Sequence, residues 1–175
     1  GEHFVLNALC AISVGTIFNI PMEQIEKGIE EFELTKRRME IKHTKEGALL
    51  INDCYNANYD SMKAALDYLG KLPSQRKIAV LGDMLELGEY SKELHEKVGE
   101  AVAKNKIDML ICVGEEAKNI AKKAVEKGME KSQISLCNYN NEAIEILKKT
   151  LSNKDAVLIK ASNGLKFIEI CDAIC

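Results

Sequence analysis

The sequence has no unbroken run of about 18 apolar residues, so it predicts no transmembrane helix. The apolar stretch from Val5 to Ile17 is interrupted by polar residues and glycine. No basic segment precedes it in this sequence, so we do not expect it to be a signal peptide. The six cysteines form no CxxC pair, and no two of the three histidines stand at a metal-ligand spacing. These absences favour a cytoplasmic protein with reduced thiols over a disulfide-stabilised or zinc-binding one.

The sequence also lacks two common nucleotide-binding motifs, GxxxxGK[ST] and GxGxxG. An α/β sheet without either motif is not a self-sufficient nucleotide site. Neither sign of charge is in large excess, because 24 basic and 27 acidic residues give a formal net charge of −3. The sequence therefore indicates no general attraction for nucleic acid or for an anionic membrane.

What is present is an ordinary globular balance, with 46% hydrophobic and 29% charged residues in a chain of 175. Residues 1–33 predict a helical hairpin that precedes another domain. Its first helix, His3–Phe18, is apolar on most faces. Its second, Glu23–Phe32, carries Ile25, Ile29 and Phe32 on one face. Because the chain begins with glycine and enters a helix at once, we expect it to be a piece of a longer protein.

The hydrophobic period changes at Met39, where Met39–Thr44 and Ala48–Ile51 predict a β-hairpin. Short apolar runs then alternate with helical patterns, which is typical of βαβ units and a mostly parallel sheet covered on both faces. The predicted strands are Lys77–Leu81, Ile107–Val113, Gln133–Leu136 and Ala156–Ile159. The predicted helices are Ser61–Leu69, Ser91–Lys104, Glu115–Lys127, Glu142–Leu151 and Leu165–Ile174. We therefore expect a Rossmann-like three-layer α/β domain over residues 34–175.

Ligands of such sheets bind at the carboxyl ends of the strands. That rule selects four segments, Asn52–Asp60, Gly82–Gly88, Gly114–Glu116 and Lys160–Gly164. The first is crowded with polar side chains, which are Asp53, Tyr55, Asn56, Asn58 and Asp60. A loop with a purely structural role rarely needs so many, although Asp60 or Ser61 is expected to cap the next helix.

The other segments leave two interpretations open. Asp83 and Glu86 could accept hydrogen bonds from an ammonium or hydroxyl group, or they could be helix-capping acids in a solvated turn. Lys160 and Ser162 lead into the last helix, whose N-terminus could bind a carboxylate or phosphate. In the alternative interpretation, the Lys160 side chain snorkels to solvent and binds no ligand. The basic stretch at residues 36–38 could hold a phosphate or be a solvated linker. His95 is expected to be a half-buried structural residue.

Taken in order, these segments resemble the motifs of the Mur ligases. GEHFVLNALCAI is similar to the G-x-H-N-x-x-N-A motif that closes the family's central ATPase domain. Arg38 before the first strand, D-x-Y-N-A-N at Asp53–Asn58 and V-L-G-D-M-x-E-L-G at Val80–Gly88 then follow, and Lys160–Ser162 stands for the terminal K-G-S motif. The sequence departs from the family at three positions, Phe4 for Asn, Tyr59 for Pro and Ala161 for Gly.

The resemblance implies an ATP-dependent amide ligase of the EC 6.3.2 type. The two central motifs are typical of the member that adds D-Ala-D-Ala to UDP-MurNAc-tripeptide through an acyl phosphate, in peptidoglycan precursor synthesis. It also implies that ATP and Mg²⁺ are held largely by the central domain and the uridine nucleotide by the N-terminal domain of the same polypeptide. Residues 1–33 would be the last helices of that central domain. We therefore expect this chain alone to bind no cofactor, to hold no metal and to have no ligase activity.

The resemblance also assigns roles to individual residues. Cofactor binding falls to Asn7 at adenine, Arg38 at the ATP phosphates and Asp53 at the ribose. The catalytic group consists of Lys160 and Ser162, near the dipeptide carboxylate or the acyl phosphate. The substrate-binding residues would be Tyr55, Asn56, Asn58, Asp83 and Glu86. Two alternatives stay open, which are the C-terminal domain of another Mur or folylpolyglutamate-type ligase and a non-catalytic α/β ligand-binding module.

Overall fold

The computed structural model describes residues 3–33, 35–74 and 76–175. The first two residues of the G-x-H motif lie outside that part of the chain. Two compact units are present, Gly1–Thr35 and Lys36–Cys175. No helix among the described residues is both long enough and apolar enough to cross a bilayer. The six cysteines all lie in described segments and are free thiols.

The first unit is a helical hairpin, as predicted, made of α1 (His3–Ile17) and α2 (Met22–Glu30). A left-handed residue, Asn19 with φ 55°, turns the chain between them. The helices approach closely where Ile25 packs on Gly15, since a Cβ there would lie 2.7 Å from the isoleucine Cδ1. Several apolar side chains of α1 are exposed in this chain, namely Val5, Leu6, Leu9, Val14 and Ile17.

The second unit is built on one twisted sheet, whose described strands have the order β1-β2-β6-β3-β4-β5. Neighbouring strands run parallel except at the β1–β2 edge. The strands are β1 (Glu40–His43), β2 (Leu49–Asn52), β3 (Arg76–Gly82), β4 (Met109–Val113), β5 (Ile134–Cys137) and β6 (Asp155–Lys160). The helices are α3 (Tyr59–Lys71), α4 (Ser91–Lys104), α5 (Ala117–Glu126), α6 (Asn140–Thr150) and α7 (Ile168–Ile174).

Helices cover both faces of the sheet, which confirms the predicted three-layer fold. Alternate strand residues, such as Leu81 and Leu158, pack against α3, α4 and α5. The residues between them, such as Val80 and Ile159, pack against α6 and α7. The strands read as continuous apolar runs because each is buried on two sides.

Two local predictions were wrong. Asn58 caps α3, not Asp60 or Ser61: its Oδ1 accepts from the Ser61 N–H at 2.8 Å, while the Ser61 Oγ accepts from the Asn58 N–H at 3.1 Å. This reciprocal capping box starts the helix at Tyr59. The last helix starts at Ile168, not Leu165, because Lys166 is left-handed with φ 52° and interrupts the helical path.

A cross-strand ion pair aligns β3 with β6 at the amino edge of the sheet. Arg76 donates from Nε to Asp155 Oδ1 at 3.0 Å and from Nη2 to Oδ2 at 2.6 Å. Burial alone would raise the pKa of Asp155, but hydrogen bonds from Arg76 and Ser152 outweigh it and hold that pKa below its usual value. The resulting register puts Leu81 beside Lys160 at the opposite edge.

Asp155→Asn should lower the free energy of unfolding at pH 7 by about 1–3 kcal/mol, towards the lower end because Arg76 is partly exposed. A depressed folded-state pKa stabilises the fold above the unfolded-state pKa, and that stability is lost as the pH falls through the folded-state value. Urea unfolding should therefore show a smaller difference in stability between the unaltered chain and Asp155→Asn at about pH 3 than at pH 7. The exposed Asp172→Asn is the control, and an equal loss in both variants would contradict the ion-pair account.

Gly99 lets α4 and α5 pack backbone to backbone. A Cβ at this position would lie 2.3 Å from the Ile120 carbonyl oxygen. Gly99→Ala should therefore destabilise the fold by about 1–3 kcal/mol, although alanine is the better helix former. Urea unfolding checks this against the exposed Lys92→Ala in the same helix, which should change stability by no more than about 0.5 kcal/mol. Unchanged stability of Gly99→Ala would show that the helices can separate without cost.

Candidate functional site

The topology of the sheet predicts a ligand-binding crevice at its carboxyl edge, between the neighbouring strands β3 and β6. The chain leaves β3 towards α4 on one face and leaves β6 towards α7 on the other. Adjacent strands that feed opposite faces produce the topological switch point where α/β sheets bind ligands. Three loops border it: the β2–α3 loop (residues 53–58), the β3–α4 loop (residues 83–87) and the β6–α7 loop (residues 161–167).

Lys160 lies beneath the β2–α3 loop at the end of β6. Its side chain is buried, and Nζ lies 2.5 Å from Asp53 Oδ2 and 3.1 Å from the Asn56 carbonyl oxygen. Asp53 is also buried, and its Oδ1 accepts from the Met39 N–H at 3.0 Å. Burial lowers the pKa of Lys160, and the Asp53 carboxylate offsets part of that effect. The lysine therefore does not snorkel, and its ammonium ties the β2–α3 loop to the centre of the sheet.

Two arginines stack on the Tyr55 ring beside this loop. The guanidinium carbon of Arg38 lies 4.3 Å from the ring centroid and that of Arg37 lies 5.7 Å from it. The Tyr55 N–H donates to the Arg37 carbonyl at 3.0 Å, and Arg37 Nη1 approaches Asn163 Oδ1 at 3.5 Å. Guanidinium groups on an aromatic face are held by cation–π attraction and keep their N–H edges for an anion. This cluster is therefore a candidate phosphate-binding surface.

The β3–α4 loop is fixed from several sides. The Ser162 N–H donates to the Asp83 carbonyl at 3.2 Å, and the Leu85 N–H donates to the Ser162 Oγ at 2.9 Å. Asp83 Oδ1 accepts from the Ala117 N–H at 2.7 Å, so this carboxylate caps the start of α5. A contact between the Asp83 carboxylate and a ligand stays a prediction.

Glu86 differs from Asp83 because its side chain is exposed at the tip of the same loop. Its backbone is left-handed, with φ 65°. A carboxylate presented in this way can accept hydrogen bonds from an incoming ammonium group.

The two asparagines of the β2–α3 loop serve mainly the loop itself. Asn56 Oδ1 accepts from the Ala57 N–H at 2.8 Å, and Asn58 forms the capping box already described. Both residues are exposed, so the remaining amide groups face solvent at the crevice. Within residues 3–33, 35–74 and 76–175, no group of three His, Cys, Asp or Glu side chains is placed to hold a metal ion.

A family model described as "Mur ligase, glutamate ligase domain" matches residues 37–163, which is most of the chain. The chain belongs to the Mur ligase family. The predicted resemblance is thereby confirmed at the level of the family.

Individual relatives of this Mur ligase chain were also found. It is 37% identical over 171 residues to UDP-N-acetylmuramoyl-tripeptide–D-alanyl-D-alanine ligase of Bacillus subtilis, covering 97% of the chain and 37% of the relative. A crystal structure of MurF from Acinetobacter baumannii superimposes with a TM-score of 0.84 at 26% identity, covering 99% of the chain and 37% of that protein. The structure of MurF ligase from Thermotoga maritima in complex with ADP superimposes with a TM-score of 0.69 at 27% identity, covering 82% of the chain and 31% of that protein. The chain thus spans 31–37% of the length of these relatives.

The structure of this Mur ligase domain brings most of the predicted site residues to one edge. Asp53, Lys160 and Ser162 are buried there, while Arg38 and Glu86 are exposed. Asn7 lies exposed on α1, in the other unit, and its contact with adenine stays a prediction.

Two residues of the Mur ligase domain have contacts or burial that the sequence did not predict. Arg37 joins Arg38 on the tyrosine ring, and His95 is fully buried rather than half-buried. The signal for His95 was present, because it shares an apolar helix face with Val98 and Val102. A polar side chain on such a face needs buried hydrogen-bond partners.

Lys160→Met should destabilise the domain by about 3–5 kcal/mol, because the Asp53 carboxylate is left buried without a cation. The double variant Lys160→Met/Asp53→Asn should recover part of that loss, since it removes the charge as well. Urea unfolding of both variants measures the coupling. Exposed Lys166→Met is the matched control, with a change within about 0.5 kcal/mol. A double variant no more stable than Lys160→Met would argue against a buried ion pair.

Proposed function

We propose that this chain is the C-terminal, acceptor-binding part of an ATP-dependent ligase that joins D-Ala-D-Ala to UDP-MurNAc-tripeptide. The proposal is supported by the Bacillus subtilis relative, which is a ligase of that name and aligns with 97% of the chain. The observation that carries the proposal lies at the end of β6, where Ser162 binds the V-L-G-D-M-x-E-L-G loop and Lys160 binds the D-x-Y-N-A-N loop. The enzyme would supply peptidoglycan precursors in the cytoplasm.

The chemistry requires an activated carboxylate, because a free carboxylate is inert to amines. ATP is the phosphoryl donor, and the product of the first step is the acyl phosphate of the tripeptide. The amine of D-Ala-D-Ala then forms the new amide bond, and inorganic phosphate leaves. Magnesium, when bound, would offset the charge of the transferring phosphate, and we expect its ligands on the central domain. Residues 1–33 would be the last helices of that domain.

Nucleotide contacts on this chain fall to three residues. Exposed Arg38 is stacked on Tyr55, so its N–H groups are available to phosphate oxygens. Asp53 is held by Lys160 and by the Met39 N–H, which orients its carboxylate in advance for a ribose hydroxyl. Asn7 contacts adenine in this scheme.

Acceptor contacts fall to the loop tips around the crevice. Glu86 would bind the dipeptide ammonium, and exposed Leu85 would pack on a methyl group. The exposed edges of Tyr55, Asn56 and Asn58 would complete the acceptor side. Lys160, Ser162 and Asp83 act in this proposal by positioning these loops, through the hydrogen bonds described above.

The isolated chain should release no phosphate from ATP in the presence of both substrates, because its sequence has no phosphate loop. A phosphate-release assay with the full-length enzyme as positive control measures this. Substrate-dependent release by the 175-residue chain alone would contradict the division of labour between domains.

The acceptor site can be tested by titrating the 15N-labelled chain with D-Ala-D-Ala. Amide shifts should cluster in residues 54–58, 83–88 and 161–166, and L-Ala-L-Ala and L-glutamate should give none. Glu86→Gln should weaken binding roughly tenfold through loss of a charge-assisted hydrogen bond, while exposed Glu89→Gln should not. Shifts elsewhere, or equal shifts with L-glutamate, would point away from a dipeptide acceptor.

A further inference from the structure

His95 is a fully buried polar side chain on α4 that the proposed chemistry does not use. Its Nε2 lies 2.9 Å from the Met84 backbone nitrogen, and its Nδ1 lies 2.7 Å from the Ser91 carbonyl oxygen. A backbone N–H can only donate, so Nε2 must accept and cannot carry a proton. The proton therefore sits on Nδ1, which donates to Ser91, and the imidazole is neutral with both nitrogens satisfied.

The bond to Met84 completes a set of anchors on the β3–α4 loop. Asp83 is held through its carbonyl and Leu85 through its N–H, both by Ser162. Met84 lies between them, is buried, and has His95 as the acceptor of its N–H. Three successive residues are thus fixed by two different elements, immediately before the exposed, left-handed Glu86.

The other side of the imidazole is also anchored. The Ser91 Oγ lies 3.4 Å from Nδ1 and donates to Glu116 Oε2 at 2.8 Å. This link joins the first turn of α4 to the start of α5, where Asp83 is the cap. Both ring nitrogens of His95 are therefore hydrogen-bonded within the protein, and these bonds set the orientation of the ring without a ligand.

We propose that His95 is a positioning residue for the acceptor site, holding the β3–α4 loop through Met84 so that Glu86 stands at the crevice. The proposal rests on the proposed function for the identity of the acceptor, but the loop anchor can be measured without it. A mere packing role would require only an apolar shape at this position.

The anchor is tested by amide hydrogen exchange on the 175-residue chain. In His95→Leu the Met84 N–H loses its acceptor, so its exchange should quicken about tenfold. In His95→Gln the amide oxygen can take the place of Nε2, so exchange should stay within about threefold of wild type. Val98→Ala, a buried change on the same helix, is the control for general destabilisation. Equal effects of His95→Leu and Val98→Ala on Met84 would overturn the anchor.

The tautomer provides a test on the unaltered protein. The 15N resonances of the His95 ring should show a protonated Nδ1 and an unprotonated Nε2. A proton on Nε2 would rule out the bond to Met84, even if His95→Leu failed to fold.

Acceptor binding tests the functional half of the proposal. His95→Leu should weaken D-Ala-D-Ala binding about tenfold, His95→Gln should restore most of it, and Val98→Ala should leave it unchanged. Unweakened binding by a His95→Leu chain with fast Met84 exchange would overturn the positioning role. If wild type binds no dipeptide, the proposed function is wrong, and the exchange data alone decide whether His95 holds the loop.

Discussion

The carboxyl edge of this domain depends on the buried ion pair between Lys160 and Asp53. Strand β6 lies between β2 and β3, so a cation at its end can reach the loops of both neighbours. The Lys160 ammonium binds the Asp53 carboxylate and the Asn56 carbonyl, and two residues later Ser162 binds the β3–α4 loop. Burying either charge without the other would cost free energy, so the ion pair keeps the β2–α3 loop in place at the end of β6.

The site divides its polar groups between those that hold loops and those that face solvent. Asp83, Ser162 and His95 form hydrogen bonds within the protein. Glu86 is exposed in the loop that they hold, and exposed Arg38 stacks on Tyr55. A ligand that binds such a site meets groups whose positions are already set, which reduces the ordering that binding would otherwise require.

Much of the architecture could be read from the sequence, because strands buried on two sides are continuous apolar runs and the covering helices are periodic. Helix boundaries were less predictable where one side chain decides them. Asn58 rather than Asp60 caps α3, and a left-handed Lys166 delays α7, because both depend on backbone geometry that composition does not specify. The sequence leaves the role of Asp83 open for the same reason, since a contact with a helix end requires that end to be near in space.

The sequence by itself determined the alternation of strands and helices, the family, and which segments would meet at the carboxyl edge. Only the tertiary structure decided which polar residues of those segments are buried anchors and which are exposed. According to the sequence alone, Lys160 could snorkel or be enclosed. His95 was expected to be half-buried, and the structure buries it fully. The difference is set by partners far along the chain, since Lys160 meets Asp53 across 107 positions, and long-range contacts exist only once the sheet has formed.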